Sequence, residues 1–389
     1  MRARATVWNG RSNWRESLLG FRNKVIADPR FQRWAAASPL TRVIARRRAR
    51  ALFDLCAGFV YSQVLLACVR LRVCEHLAEG PRSTEALSRL LDLPADAVAR
   101  LLRAAASLRL VRALPGDRYA LDDLGASLLG NPSVAAFIEH HQLLYDDLRD
   151  PVALLRGETT TRLSQFWPYA GDAPGSRPFF LRDDATEATG SCAAYSELMS
   201  RSQALVANDI LDAYPMDAHA RLLDVGGGEG RFVSEAAARF SGLALTLFDL
   251  PPVVEQAKIN LARRGITSRV ELIGGSFLRD PLPTDADIIS LVRIVHDHDD
   301  EAALALLRAA AKALPKGGTV LIAEPMAGTR GAEPIGDAYF GFYLLAMGRG
   351  RPRRPDELEK LMLQAGFTGI HAVSTRRPML VRIMIGKKM

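Results

Sequence analysis

His296 opens the run His296-Asp297-His298-Asp299-Asp300, directly behind the apolar stretch Ile289-Ser290-Leu291-Val292-Arg293-Ile294-Val295. An imidazole accepts a proton near neutral pH, and an alcohol becomes a useful nucleophile only as its proton leaves. Such a base needs a carboxylate to fix its tautomer. Glu324, ending the stretch Val320-Leu321-Ile322-Ala323, stands at the next comparable strand tip and is the candidate. Two histidines and three aspartates in five residues also suit a metal ion. A helix starting at Asp299 scatters several of them, so no metal is expected.

A second stretch, Leu222-Leu223-Asp224-Val225-Gly226-Gly227-Gly228-Glu229-Gly230-Arg231-Phe232, reads as a buried strand, a glycine turn and the start of a helix. Glycines tolerate positive φ and let the main chain approach a ligand, while the helix start offers free N–H groups. The chemistry implied is a nucleotide-type cofactor site, with an ordinary glycine-lined bend as the bland alternative. A dinucleotide fingerprint is not met, because its last position is Arg231 counted from Gly226 and Val233 counted from Gly228. NAD or a flavin is therefore disfavoured. About nineteen residues beyond Gly230, Asp249 ends the apolar run Leu243 to Phe248, and a carboxylate at such a tip can accept both hydroxyls of a ribose.

The elements that must position these groups follow from alternation. From Arg221 onward, apolar runs at Leu222 to Val225, Leu243 to Phe248, Val270 to Ile273, Ile288 to Val292 and Thr319 to Ala323 alternate with helical stretches, and a last pair lies near Gly369 to Ser374 and Val381 to Ile385. Such alternation argues for a parallel sheet covered by helices, with ligands at the carboxyl ends of its strands. Upstream, Ala51 to about Asn131 shows helices starting at Ser83 and after Leu93-Pro94, then two short strands around Pro115-Gly116-Asp117. Three helices and a hairpin make a winged-helix arrangement. It either binds DNA through Arg100, Arg103 and Arg109 or serves as a dimerisation platform, and the cofactor domain in the same chain favours the platform.

With 389 residues the chain can hold two or three cores, since single cores rarely exceed about 250 to 300 residues. Its four cysteines, Cys56, Cys68, Cys74 and Cys192, lack zinc or disulfide spacing and fit a reducing cytoplasm. Met1 to Glu16 has positive charge without a following apolar core, so no secretory leader is expected. Ala51 to Val69 is long and apolar enough to span a bilayer but carries Asp54, Ser62 and Gln63, and reads as a buried core helix. Net charge is +8, with Arg42, Arg46, Arg47, Arg48 and Arg50 crowded behind Phe31-Gln32-Arg33-Trp34. That run is either a solvated arm or a surface for anionic lipid. The groups His140-His141-Gln142-Leu143-Leu144-Tyr145 and Gln165-Phe166-Trp167-Pro168-Tyr169 suit a pocket wall or simple core, and Ala170 to Gly190 reads as a loop. Asp337 to Met347 is apolar nearly all round, as a tunnel-lining helix or a dimer core would be. The domains expected are an arm over 1–50, a winged-helix domain over 51–130, a helical substrate region over 131–215 and the cofactor domain over 216–389.

Asp224 to Gly230, Phe248-Asp249-Leu250-Pro251, Arg293 to Asp297, Ala323-Glu324-Pro325 and Leu361 to Phe367 together resemble the plant and bacterial O-methyltransferases that carry an N-terminal winged-helix dimerisation region. The resemblance runs from about Phe53 to the end. It implies an α/β, Rossmann-like class I S-adenosylmethionine-dependent methyltransferase domain preceded by a mainly helical winged-helix dimerisation domain. It also implies S-adenosyl-L-methionine held by Asp224, Gly226, Gly228, Gly230, Asp249, Leu250, Ser276, Phe277 and Arg293, and a catalytic group of His296 as base, Glu324 orienting it, and Asp297. Two departures stand out: Ser276 where the family usually has Asp, and Pro352 where many plant members carry a second catalytic glutamate.

A narrower set of segments is similar to the hydroxyneurosporene (demethylspheroidene) O-methyltransferases of purple photosynthetic bacteria. These are Ser38-Pro39-Leu40, Leu52 to Val64, His140-His141, Arg156-Gly157-Glu158-Thr159, Phe166 to Tyr169 and Glu324-Pro325-Met326-Ala327-Gly328. This similarity implies a homodimeric enzyme of carotenoid biosynthesis that methylates the tertiary 1-hydroxyl of a lipophilic hydroxycarotenoid. It would be cytoplasmic, with contact to the inner or photosynthetic membrane surface and no nucleic-acid partner. The alternatives are a bacteriochlorophyll-pathway C-methyltransferase, a phenol O-methyltransferase, a winged-helix DNA-binding regulator that senses the cofactor, and a carotenoid-carrying scaffold.

Overall fold

The computed structural model describes residues 14–166, 203 and 205–389, and the chain divides into two compact units, Met1–Ala126 and Ser127–Met389. In the first, helices α1 (Trp14–Ala27), α2 (Pro29–Ala37), α3 (Arg42–Arg70) and α4 (Val73–Ala78) precede β1 (Arg82–Ser83), α5 (Thr84–Leu91), α6 (Ala95–Ser107) and the hairpin β2 (Val111–Leu114) and β3 (Arg118–Leu121). The Ser83 hydroxyl caps α5 by accepting the Ala86 N–H at 3.2 Å, as its type and position predict. The strands pair in the order β1-β3-β2 over a core that includes Val73, Leu77, Leu87, Val98, Leu102 and Val111. The winged-helix expectation holds.

Two expectations for this unit are corrected. Helix α3 runs straight across the 50/51 boundary, so the arginine-rich stretch is the first turns of that helix rather than a separate arm. The helix is also not buried core: only Leu66 and Cys68 are buried, while Leu55 is 82% and Phe59 66% exposed. A helix apolar on every side needs partners on every side. Within one chain only its last turns find them.

The second unit contains α7 (Asp123–Leu129) from Ser127 onward, α8 (Pro132–Asp147), α9 (Pro151–Arg156), α10 (Arg162–Phe166), a helix α11 over 205–213, and then the sheet. No break falls near 215, so the expected 131–215 region shares one unit with the sheet. Strands β4 (Arg221–Val225), β5 (Ala244–Asp249), β6 (Val270–Gly274), β7 (Ile288–Val292), β8 (Thr319–Glu324), β9 (Phe367–Val373) and β10 (Arg382–Lys388) lie in the order β6-β5-β4-β7-β8-β10-β9. Helices α12 (Arg231–Arg239), α13 (Pro251–Arg263), α14 (Asp300–Ala313), α15 (Gly341–Met347) and α16 (Pro355–Gln364) follow their strands. Successive residues feed opposite faces: Leu222 packs into one buried cluster and Leu223 into the other. That is why the central strands β4, β5, β7 and β8 read as nearly continuous apolar runs.

The fully parallel sheet is corrected at one edge, where β10 is antiparallel to both β8 and β9. The short link between β9 and β10 leaves no room for a crossover helix. Strand order reverses between β5 and β7 around β4, and the crevice at the carboxyl ends there is the expected ligand position.

Candidate active site

A cavity of about 1290 Å³, part of it open to solvent, lies at that crevice. Its wall takes Gly226 and Gly228 from the turn after β4, Asp249 and Leu250 from the tip of β5, Ser276 and Phe277 after β6, and Arg293, His296 and Asp297 after β7. Nine of the residues proposed from sequence thus meet in one wall. Asp224, Gly230 and Glu324 are not in it: Asp224 and Glu324 are buried behind it and Gly230 precedes α12.

The glycine turn is a cradle in the literal sense. Gly226 adopts φ +69°, and a β-carbon there would sit 2.1 Å from Ile294 Cδ1. Gly228 adopts φ +56° and would point a β-carbon into open space, so the room a ligand needs is kept free by the absent side chain. The Asp249 carboxylate accepts the Gly228 N–H at 2.8 Å with one oxygen and the Leu250 N–H at 2.7 Å with the other. Each oxygen keeps a further lone pair, enough for a pair of ribose hydroxyls. Burial pushes the carboxyl up to about 6, against the pull of those two N–H groups. Asp224 supports the turn from beneath: it accepts the Ser290 hydroxyl at 2.6 Å, and burial raises it to about 7. Where the family expects Asp, the Ser276 N–H is held by Asp280 at 2.8 Å, and Asp280 does not join the wall.

His296 is 3% exposed, in the short 3₁₀ turn Val295–Asp297. Burial first, then the Arg293 and Arg353 charges, hold its imidazole well below the usual histidine range. The expected bond from Glu324 to the imidazole is not made. Glu324 Oε2 accepts the main-chain N–H of His296 at 2.9 Å, so it fixes the turn rather than the ring. The carboxyl group near the ring is that of Asp297, 3.3 Å from Nε2, and burial pushes it well above the usual carboxylate range. Nδ1 is buried and has no hydrogen-bond partner among the described residues. A neutral imidazole with an unpaired nitrogen has the capacity to take a proton.

Arg293, just past β7, adopts φ +56°, a left-handed conformation unusual for a side-chain-bearing residue, and its N–H donates to the Ala323 carbonyl at 2.8 Å. Strain of this kind collects at working sites. Opposite lies the stretch Pro334–Phe340, a π-helix continuing into α15, from which Phe340, Tyr343, Leu344 and Met347 enter the wall. This supports the wall-lining alternative for 337–347.

Helices α8 to α10 buttress α15 with Leu144, Leu154 and Leu163. His140 Nε2 lies 2.9 Å from the Tyr343 hydroxyl and His141 Nε2 2.8 Å from that of Tyr339. The two histidines therefore grip the wall helix and are not themselves in the wall. Trp167, Pro168, Tyr169 and the loop Ala170 to Gly190 lie outside the described residues.

The O-methyltransferase domain family matches residues 145–368, and the O-methyltransferase dimerisation domain family matches 53–131. The chain belongs to the O-methyltransferase family. It is 41% identical over 93% of its length to the demethylspheroidene O-methyltransferase of Cereibacter sphaeroides, covering 92% of that protein, and 39% identical over 89% to the Rhodobacter capsulatus enzyme of the same name, covering 84%. The solved structure of CalO1, a methyltransferase of calicheamicin biosynthesis in its SAH-bound form, aligns at a TM-score of 0.67 and 27% identity, over 88% of this chain and 98% of that one. This O-methyltransferase thus uses S-adenosylmethionine, and the glycine cradle with Asp249 fits it. The dimerisation-domain match at 53–131 includes the part of α3 that carries exposed Phe53, Leu55 and Phe59.

Sequence reasoning missed the segment behind His296. Arg353 is fully buried and bonded to the His296 turn, although Arg351-Pro352-Arg353-Arg354 looks like solvated charge. The departure noted at Pro352 was the only signal nearby.

Proposed function

We propose that this enzyme methylates the tertiary 1-hydroxyl of an acyclic hydroxycarotenoid, with His296 as general base. One cavity carries the proposal, because its wall holds both the glycine cradle with Asp249 and a buried neutral imidazole. The names of the two bacterial relatives support the substrate class. So does the wall of Phe340, Tyr343, Leu344 and Met347, whose apolar surface suits a polyene.

S-adenosylmethionine supplies an electrophilic methyl group on a cationic sulfur that becomes neutral on transfer. The chain's own residues do the rest. Asp249 would receive the ribose hydroxyls, Gly226 and Gly228 would let the main chain approach, and Leu250, Ser276, Phe277 and Arg293 would flank the cofactor. His296 Nδ1 would take the hydroxyl proton as the oxygen attacks, while the Nε2–H donates to an Asp297 carboxyl oxygen and so keeps Nδ1 the unprotonated nitrogen. The imidazole gains a positive charge as the sulfur loses one, so the buried site never carries an extra cation. Holding oxygen and methyl in line supplies much of the rate.

A carotenoid resides in the bilayer, so the proposal includes peripheral contact with an anionic membrane surface through the exposed Arg46, Arg47, Arg48 and Arg50 and through Trp34. The test is incubation with methyl-labelled S-adenosylmethionine and a panel of hydroxylated acyclic carotenoid, catechol and bacteriochlorophyllide. Label in the ether of the carotenoid is the expected result. Label only in the catechol, or on carbon in the bacteriochlorophyllide, would overturn the substrate assignment.

A further inference from the structure

The turn that carries His296 is too short to hold itself. A three-residue 3₁₀ segment closes few bonds of its own, so its carbonyls must be satisfied from elsewhere. They are taken, one after another, by the segment 350–353. Arg353 Nη1 donates to the Val295 carbonyl and Nη2 to the His298 carbonyl, each at 2.8 Å, while Nε donates to the Asp300 carboxylate at 2.9 Å. Between those two carbonyls, the His296 carbonyl accepts the Arg351 N–H at 2.9 Å. Gly350 passes so close that a β-carbon would lie 2.1 Å from that same oxygen. The Arg353 carbonyl in turn accepts the Ala327 N–H at 3.0 Å, which ties the clamp to the chain following β8.

We infer that Arg353 is the positioning residue of the base: its guanidinium bridges the carbonyls on either side of His296 and so fixes how the imidazole faces the cavity. A planar fork with five donors can span two carbonyls and a carboxylate at once, which a lysine ammonium cannot. Pro352 removes any side-chain hold on the imidazole from that position, and the next residue supplies the hold from behind, through the main chain. Arg353 is not part of the cavity wall, so it acts through His296. Its charge also adds to the forces that keep the imidazole neutral.

This inference rests on His296 being the base, so His296→Ala is measured alongside. The experiment compares full-length Arg353→Lys and Arg353→Gln for kcat and KM on a 1-hydroxylated acyclic carotenoid, for affinity to S-adenosylhomocysteine, and for the pH dependence of kcat. Arg353→Gln should lower kcat about 10- to 100-fold, the scale of a small misplacement of a reacting group, with product affinity unchanged. It should also move the acid limb of the profile to higher pH, because a charge that disfavours imidazolium is gone. Arg353→Lys keeps the charge and loses the fork, so its limb should stay while kcat remains low.

Wild-type kcat in both variants, or a kcat loss matched by lost product affinity, would overturn the inference. If neither variant folds, Asp300→Ala decides, since it removes the carboxylate that anchors the Arg353 guanidinium at 2.9 Å and the Arg351 guanidinium at 3.1 Å while leaving both arginines in place. A several-fold drop in its kcat at unchanged product affinity is expected, and wild-type kcat would overturn the inference. A normal His296→Ala would instead bring down the assignment of the base itself.

Discussion

The crevice beside β4 and the long helix α3 solve the same physical problem in opposite ways. Around the crevice, a single chain finishes its own construction: Asp249 takes two main-chain N–H groups, Glu324 takes another, and Arg353 satisfies the carbonyls behind His296. Along α3, the chain leaves Leu52, Phe53, Leu55 and Phe59 in water, a surface completed only by something else. A self-contained region can be read from one chain's sequence. A region that one chain leaves open, as α3 is, reads in the sequence as buried core although that chain does not bury it.

The largest test of that contrast is to charge the unfinished surface. Leu55→Glu with Phe59→Glu removes two large apolar side chains, each worth about 1.5 to 3 kcal/mol when buried, in both copies of a dimer. Analytical ultracentrifugation should find a monomer that still binds S-adenosylhomocysteine. A dimer of undiminished affinity would show that α3 is covered by something other than its own twin.

Next in size is the basic start of the same helix. Replacing Arg46, Arg47, Arg48 and Arg50 by Ala should weaken binding to anionic vesicles by up to ~4 kcal/mol at low salt, at about 1 kcal/mol per charge, and less as salt screens. Equal co-sedimentation of wild type and variant would make the run ordinary solvated charge.

On the finished side, Asp249→Ala should weaken S-adenosylmethionine by about 1.5 to 3 kcal/mol, the range for a hydrogen bond to a charged group. Calorimetry reads this directly, and unchanged affinity would remove Asp249 from the ribose site. The smallest effect is a divergence in pH. Cofactor affinity should fall as pH drops through about 6, where the folded Asp249 carboxyl takes up a proton and loses its charge. Apoenzyme stability should move the other way. Asp224, Asp249 and Glu324 are held at about 7, 6 and 7, above their unfolded values, so the folded state binds more protons and these groups favour folding as pH falls through that window. Affinity and melting temperature falling together below pH 6 would contradict this.

What was legible follows the same division. Strands β4, β5, β7 and β8 were readable because both of their faces are buried, leaving nearly unbroken apolar runs, and the glycine turn because Gly226 and Gly228 need positive φ. Of the nine wall residues, Gly226, Gly228, Asp249 and His296 came from such local signals, and Leu250, Ser276, Phe277, Arg293 and Asp297 from the family resemblance. The roles of the two carboxyl groups were not legible. Whether Glu324 or Asp297 reaches the imidazole depends on a few degrees in one short turn, and adjacency in sequence does not encode that. Arg353 was hidden for another reason: charge runs are usually solvated, and only three-dimensional packing buries this one. The antiparallel β10 was missed because apolar runs carry no direction.

The central claim is that a buried, neutral His296 takes the proton in methyl transfer. Single-turnover transfer from S-adenosylmethionine to a 1-hydroxylated acyclic carotenoid should be slowed about 10²- to 10⁴-fold in His296→Ala, the range of general-base catalysis, with cofactor affinity unchanged. A single-turnover rate equal to the wild type's would contradict the account and move the base elsewhere in the cavity.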